Sequence, residues 1–439
     1  MTIVVQFVEC GTDPVLVFVG LAGSSTVDPW PNDPTADAAV TALDRVPWGT
    51  RPATDPDAVR AVGDLLRTKL VAVPTLKHAM VDAFAGAPAV AGARPIFFRV
   101  GNQTWVEAYP FEALWDDHNA TFPGLQPSWP IARIPGDTNA PVPFNMEPTV
   151  RVVAVLAAES VPADKQVAAI ETACATQPGL TIEVTVITSS TALRDAVNAA
   201  ARPGWQAELV PASGDDLILR LIALQPHLLH LFCHGTANGS RLFVAQRDDL
   251  AVLELGAAQF AELARPSWIA PWLVTLNCCE TGGPGTETAS LTSSLVRSGL
   301  PAALGMRKAV DSAMADAFCA DLYRAVFAHL TEIAPSGRAG AALDWPRVLQ
   351  EPRRRLCAMH GDPAQVAGRQ KEWTMPVLYV ASPTMWIRGR PSAALTSEQV
   401  RQQQTTLVTA DGLFANGQLT LAMADAMRTP ALATLYPPP

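Results

Sequence analysis

Two apolar runs in this chain end on residues suited to thiol chemistry. LLHLFCHGT, residues 228–236, ends on His234-Gly235, and WLVTLNCCETGG, residues 272–283, ends on Cys278-Cys279. A thiolate nucleophile, with an imidazole that takes its proton and later protonates a leaving amine, makes an acyl-transfer pair. Such a pair also needs backbone N–H groups aimed at the developing oxyanion. Gly235 leaves room beside the histidine for a carbonyl, and Gly282, Gly283 and Gly285 make the loop after the cysteines permissive. A helix pattern follows at 287–299, and its positive end would favour thiolate if the axis points that way. Neighbouring strand residues face opposite sides, so Cys278 and Cys279 cannot both meet His234. Cys279, nearer the loop, is the expected nucleophile; Cys278 and Cys233 are expected to be small core residues. Taken singly, a strand-end cysteine is more simply a core residue, and only the pairing of the two strand ends changes that reading.

These ends must be brought together by the elements around them. From residue 149 the chain alternates strand-like runs (149–160, 181–189, 227–235, 240–248, 272–278, 301–306, 375–383) with helix patterns (162–175, 191–201, 212–225, 255–265, 287–299, 311–330, 336–358). Such alternation predicts an α/β fold, a mostly parallel sheet sandwiched by helices, with sites at the carboxyl ends of the strands. His234 and Cys279 both fall at carboxyl ends, so they can meet although 45 positions apart. Upstream, an α/β N-terminal region holds two short strands in 1–20, helices at 55–70 and 73–86, and a hairpin over 95–110 turning at Gly101-Asn102. Residues 118–148 are proline-rich and read as loop. The expected divisions are 1–55, strands and loop without an assigned role; 56–148, an N-terminal subdomain; 149–383, the sheet domain carrying the pair; and 384–439, a tail with a polar helix pattern at 396–405.

Bulk properties narrow the partners. A chain of 439 residues has room for about two or three domains. With 49% hydrophobic and 17% charged residues it can build a large core. A net charge of −9 argues against nucleic acid as a direct partner, and Arg353-Arg354-Arg355 reads as a solvated helix face. No apolar run is long enough to span a membrane, and the N-terminus lacks the basic start of an export signal, so the expected compartment is the cytoplasm. Seven irregularly spaced cysteines fit neither a disulfide framework nor a metal knuckle. A metal set from His230, His234 and Cys279 lacks a fourth ligand at a useful spacing, and His230 inside a strand reads as a core histidine. Gly283-Pro284-Gly285 lacks the continuation of a phosphate-binding loop. No cofactor and no metal are expected.

The motifs together resemble the CHAT family of caspase-like cysteine peptidases, related to separase. LHLFCHG matches that family's histidine strand end through Phe232, Cys233, His234 and Gly235. LNCCETG matches its cysteine element, placing Cys279 on the nucleophile and Cys278 on a small-residue position. VDSAMADAFCADLY and VEAYPFEALWD resemble two further family segments. The resemblance covers about residues 90–383. It implies a caspase-like fold and a cysteine endopeptidase in which Cys279 attacks, His234 is general base and acid, and the N–H groups of Gly235 and Cys279 form the oxyanion hole. It also implies one specific protein substrate, a bacterial defence or cell-death setting, and activation by a partner protein or signal. Separase-type relatives hold a basic side chain with an acidic residue, and Asp311 falls near that position; a plain N-cap explains it equally well. The rivals are a catalytically silent caspase-like interaction module and a metal-dependent hydrolase.

Overall fold

A computed structural model describes residues 3–10, 13–20, 27–29, 42–43, 46, 57–77, 95–100, 104–136, 138, 144–145, 149–177, 179–236, 241–264, 271–278, 290–308, 310–334, 341–383, 385–388, 398–399, 402–403, 405–407, 409–410 and 421–435. In chain order the strands are β1 (Ile3–Cys10), β2 (Asp13–Gly20), β3 (Val27–Pro29), β4 (Ile96–Arg99), β5 (Ile131–Ile134), β6 (Phe144–Asn145), β7 (Thr149–Leu156), β8 (Thr181–Thr188), β9 (Trp205–Leu209), β10 (Leu228–Phe232), β11 (His234–Gly235), β12 (Arg241–Ala245), β13 (Val252–Gly256), β14 (Leu273–Leu276), β15 (Ala302–Met306), β16 (Ala341–Ala342), β17 (Pro376–Val380) and β18 (Trp386–Arg388). The main helices are α1 (Ala58–Ala72), α2 (Asp164–Ala175), α3 (Thr191–Ala199), α4 (Gly214–Leu224), α5 (Leu291–Arg297), α6 (Ser312–Ile333), α7 (Trp345–Ala358) and α8 (Leu421–Leu435).

Twelve strands form one sheet in the order β3-β2-β1-β4-β5-β17-β15-β14-β10-β7-β8-β9. The run β15-β14-β10-β7-β8-β9 is parallel throughout, as the alternation of strands and helices predicts. β10, β14, β15 and β17 are buried along their whole length, so they read as short continuous apolar runs. Successive side chains of β10 feed opposite faces. Leu228 and Phe232 join the core under α2, α6 and α7, whereas Leu229, Leu231 and Cys233 join the core under α4 and α5. Hydroxyl and carboxylate caps start the helices: Ser190 on α3, Ser213 on α4 and Asp311 on α6.

The N-terminal strands extend this sheet. β4 is parallel to both β1 and β5, and β17, antiparallel to β15, joins the two halves. The hairpin expected over 95–110 is absent: β4 pairs with distant strands and Thr104–Glu107 is helical, while Gly101-Asn102 lies outside the described residues. The stretch read as loop at 118–148 contains β5, a fully buried strand between Pro130 and Pro135. The helix pattern at 255–265 begins instead with β13, which pairs with β12 as a hairpin, and only then turns helical at Ala257. Arg353 departs from its solvated reading. It is fully buried and donates to the Pro376 carbonyl at 2.8 Å, while exposed Arg354 and Arg355 pair with Glu351. Close packing of α1 on the turn at 111–115 requires Gly63, where a Cβ would lie 2.3 Å from the Ala113 carbonyl oxygen.

Candidate active site

β10 and β14 are neighbours and parallel, with Leu231 opposite Leu276. His234 and Cys279 each lie three positions beyond that registered pair. Cys279 itself, with Gly282, Gly283 and Gly285, lies outside the described residues. His234 is half-buried at the carboxyl edge of the sheet, in the short strand β11, paired with Phe243 of β12. Its Nε2 is 2.9 Å from the Glu159 carbonyl oxygen. A carbonyl only accepts, so Nε2 carries the proton and donates, which leaves the Nδ1 lone pair of a neutral ring as the available base.

The Glu159 carbonyl is itself held in place. Ala157 N–H donates to the Phe232 carbonyl at 2.9 Å, and Ala245 N–H donates to the Ala157 carbonyl at 2.8 Å. Ser160, with φ of 59°, then turns the chain, and its N–H donates to Asp249 Oδ2 at 2.9 Å. Thr236 N–H donates to the Arg241 carbonyl at 3.0 Å, and Arg241 N–H returns a bond to Thr236 Oγ1 at 3.1 Å, so residues 236 and 241 face each other at a hydrogen-bonding position at the end of the ladder. Such pairs alternate along a ladder, which puts Gly235 in a non-bonded pair with its N–H directed off the ladder. A cavity of about 360 Å³ opens beside Glu159, lined among others by Leu156, Ala158, Ser160, Asp164, Ser189 and Asp249.

Beneath the strand ends lies a polar network that no sequence pattern marks. Gln166 of α2 is fully buried; its amide nitrogen donates to Asp316 of α6 at 2.6 Å, and its oxygen lies 3.1 Å from His230 Nε2 and 3.3 Å from Asn277 Nδ2. Asn277 also donates to the Ala315 carbonyl at 2.9 Å, which ties the residue before Cys278 to α6. On the opposite face Cys278 Sγ lies 3.3 Å from Cys233 Sγ and 3.2 Å from the Leu231 carbonyl, with both cysteines buried. Sequence reasoning also missed Glu107, a buried carboxylate that accepts from Ser293 Oγ at 2.7 Å and Ser290 N–H at 3.4 Å. It anchors the start of α5, the point at which the described chain resumes after Cys278. Burial pushes the Glu107 carboxyl up, against the pull of Ser293 and Arg297.

Asp311 caps α6, accepting from Met314 N–H at 2.8 Å, as the helix-cap reading anticipates. Nearby, the Arg307 guanidinium is buried and donates to the Tyr109 and Ala108 carbonyls. Burial pushes the His230 imidazole down to about 3, so the ring stays neutral in the native state. An unfolded histidine takes up a proton below about pH 6.5, and the folded one does not. Stability is therefore expected to fall by about 1.4 kcal/mol per pH unit as pH drops below about 6.5 toward 3. Urea titrations at a series of pH values check this. His230→Phe should flatten the slope by one proton whatever its stability at pH 7, and an unchanged slope would rule the assignment out. Among the described residues, no group of three or more His, Cys, Asp or Glu side chains is placed to hold a metal.

The CHAT domain signature matches residues 60–341, well over half of the chain, and the chain belongs to the CHAT domain family. Its mostly parallel sheet between helices is the α/β arrangement that the alternation of strands and helices predicts. Comparison with curated protein sequences gives no match. Among solved structures, the chain is similar to the complex of Porphyromonas gingivalis RgpB pro- and mature domains, with 9% identity, TM-score 0.41, and coverage of 70% of this chain and 68% of that one. It is also similar to the Saccharomyces cerevisiae separase–securin complex, with 12% identity and TM-score 0.37. That match covers 84% of this chain but only 21% of that one. No helix among the described residues is long and apolar enough to cross a membrane.

Proposed function

We propose that this chain is a cysteine endopeptidase that cleaves a specific protein partner. Cys279 attacks the scissile carbonyl as thiolate, His234 takes up the thiol proton and returns it to the leaving amine, and a thioester acyl-enzyme is then hydrolysed. The N–H groups of Gly235 and Cys279 receive the oxyanion. The observation that carries this reading is the register of the two strands that lead to the pair: β10 and β14 are adjacent and parallel, and His234 and Cys279 each follow the registered pair Leu231↔Leu276 by three positions in the sequence. The fixed Nε2–H bond to Glu159 supports the base role, because it prepares the neutral tautomer. Asp311 retains one carboxylate oxygen beyond its cap bond, and a basic substrate side chain near it is part of the proposal. So are a bacterial defence or cell-death role in the cytoplasm and activation by a partner protein.

The test is labelling with a peptidyl acyloxymethyl ketone, read by intact mass, together with cleavage of proteins encoded beside this gene. Wild type and Cys278→Ala are expected to label and cleave. Cys279→Ala should lose both, with turnover down by about 10³-fold or more. Turnover that survives Cys279→Ala but stops in Cys278→Ala would assign the nucleophile to the other sulfur.

A further inference from the structure

We propose that Cys233 and Cys278 form an oxidation site, a buried thiol pair that closes to a disulfide and thereby disarms the neighbouring dyad. The two sulfurs lie 3.3 Å apart, within contact distance and about 1.2 Å longer than a disulfide bond. Each stands two positions beyond the registered pair Leu231↔Leu276, and the Asn277 N–H still donates to the Leu231 carbonyl at 2.9 Å, so the two chains leave the sheet side by side. Adjacent strands lie about 4.8 Å apart, inside the span of about 4.4–6.8 Å that a disulfide bridges between Cα atoms. No large backbone movement is therefore needed to join them.

The consequence rests on the function proposed above. Cys233 directly precedes His234, and Cys278 directly precedes Cys279. Closing the bond draws both strand ends inward, and a misplacement of about 1 Å between reacting groups costs on the order of 10²-fold in rate. Cys278 occupies a position where the related pattern carries a small residue, so its sulfur is not needed for the reaction itself.

The step removes one hydrogen from each thiol and forms one S–S bond. With a hydroperoxide, one thiol becomes a sulfenic acid as the O–O bond breaks and an alcohol or water leaves. The second thiol then attacks that sulfur and expels water. A dithiol reductant reverses it by returning two electrons and two protons. The plain alternative is a packed pair of core thiols linked by a weak hydrogen bond, which would not oxidise in the folded protein.

The experiment treats the reduced full-length protein with diamide, whose azo bond accepts the same two hydrogens. One portion is alkylated, digested and mapped by mass spectrometry; the other is probed with a peptidyl acyloxymethyl ketone at Cys279. The expected result is a Cys233–Cys278 cross-linked peptide, a fall in Cys279 labelling of about tenfold or more, and recovery with dithiothreitol. Cys278→Ala and Cys233→Ala should keep their labelling through the same treatment. A map without the cross-link after diamide, or with Cys279 inside it, overturns the proposal, as does a Cys233–Cys278 cross-link with undiminished labelling. Reduced protein that never labels at Cys279 refutes the dyad instead, and the peptide map still decides whether the thiol pair oxidises.

Discussion

Replacing His234 with alanine is expected to lower kcat/KM on a protein substrate by about 10³-fold, inside the 10²–10⁴ range that a positioned acid–base group supplies. KM should change little, because the proposed role of the imidazole is on a proton in flight rather than on bound substrate. The basis is the Nε2–H bond to the Glu159 carbonyl at 2.9 Å, which commits one ring nitrogen to orientation and leaves the other with a lone pair for the proposed base role. The carbonyl cannot be substituted, but the turn that presents it can. Ser160 has φ of 59° and gives its N–H to Asp249, so Ser160→Pro forbids the angle and removes the donor. That variant should lose about tenfold in kcat through the histidine's orientation. Steady-state kinetics on a cleaved partner, with circular dichroism to verify folding, checks both. Full turnover by His234→Ala would remove the imidazole from the mechanism.

The parts of this fold that could be read beforehand share a physical cause. β10, β14, β15 and β17 are buried on both faces, so each appears as an uninterrupted apolar run between helix patterns. The position of His234 at the carboxyl edge of the sheet was legible because it follows such a run directly, with Gly235 after it. The failures are all non-local. β5 is only four residues long and sits between two prolines, so its central place in the sheet leaves no local trace. Gly101-Asn102 gives a strong turn signal, yet the partners of β4 are strands far away in the chain. Arg353 looks like its two exposed neighbours; only the carbonyls of Pro376 in β17 and Ile131 in β5 explain why it alone turns inward. The network of His230, Gln166, Asn277 and Asp316 draws on four separate elements, and nothing in a single sequence ties a glutamine in α2 to an asparagine after β14.

Replacing Arg133 with methionine is expected to destabilise the protein by about 3–5 kcal/mol, the usual cost of leaving one member of a buried ion pair uncompensated. Arg133 and Glu112 are both fully buried and joined by two bonds, Nε to Oε1 at 3.0 Å and Nη2 to Oε2 at 2.6 Å. Burial alone would raise the Glu112 carboxyl, but the charges of Arg133, Arg353 and Arg307 outweigh it and hold it below the usual carboxylate range. Arg133 also donates to the carbonyls of Glu107 at 2.6 Å and Tyr109 at 2.8 Å, and its residue pairs with Tyr379 where β5 meets β17. It therefore stitches the N-terminal strands to the half of the sheet that carries His234. Glu112→Gln keeps the shape but strands a guanidinium, and should cost about as much as Arg133→Met. The double variant Arg133→Met/Glu112→Leu removes both charges and should regain part of the loss, but not all, because the Glu107 carbonyl loses the bond from Arg133, while that of Tyr109 keeps Arg307 and the Phe111 N–H. Urea titrations of the four proteins give the coupling energy directly. Single losses below about 1 kcal/mol, the range of exposed ion pairs, would mean that water reaches this junction and that packing alone holds the two halves of the sheet together.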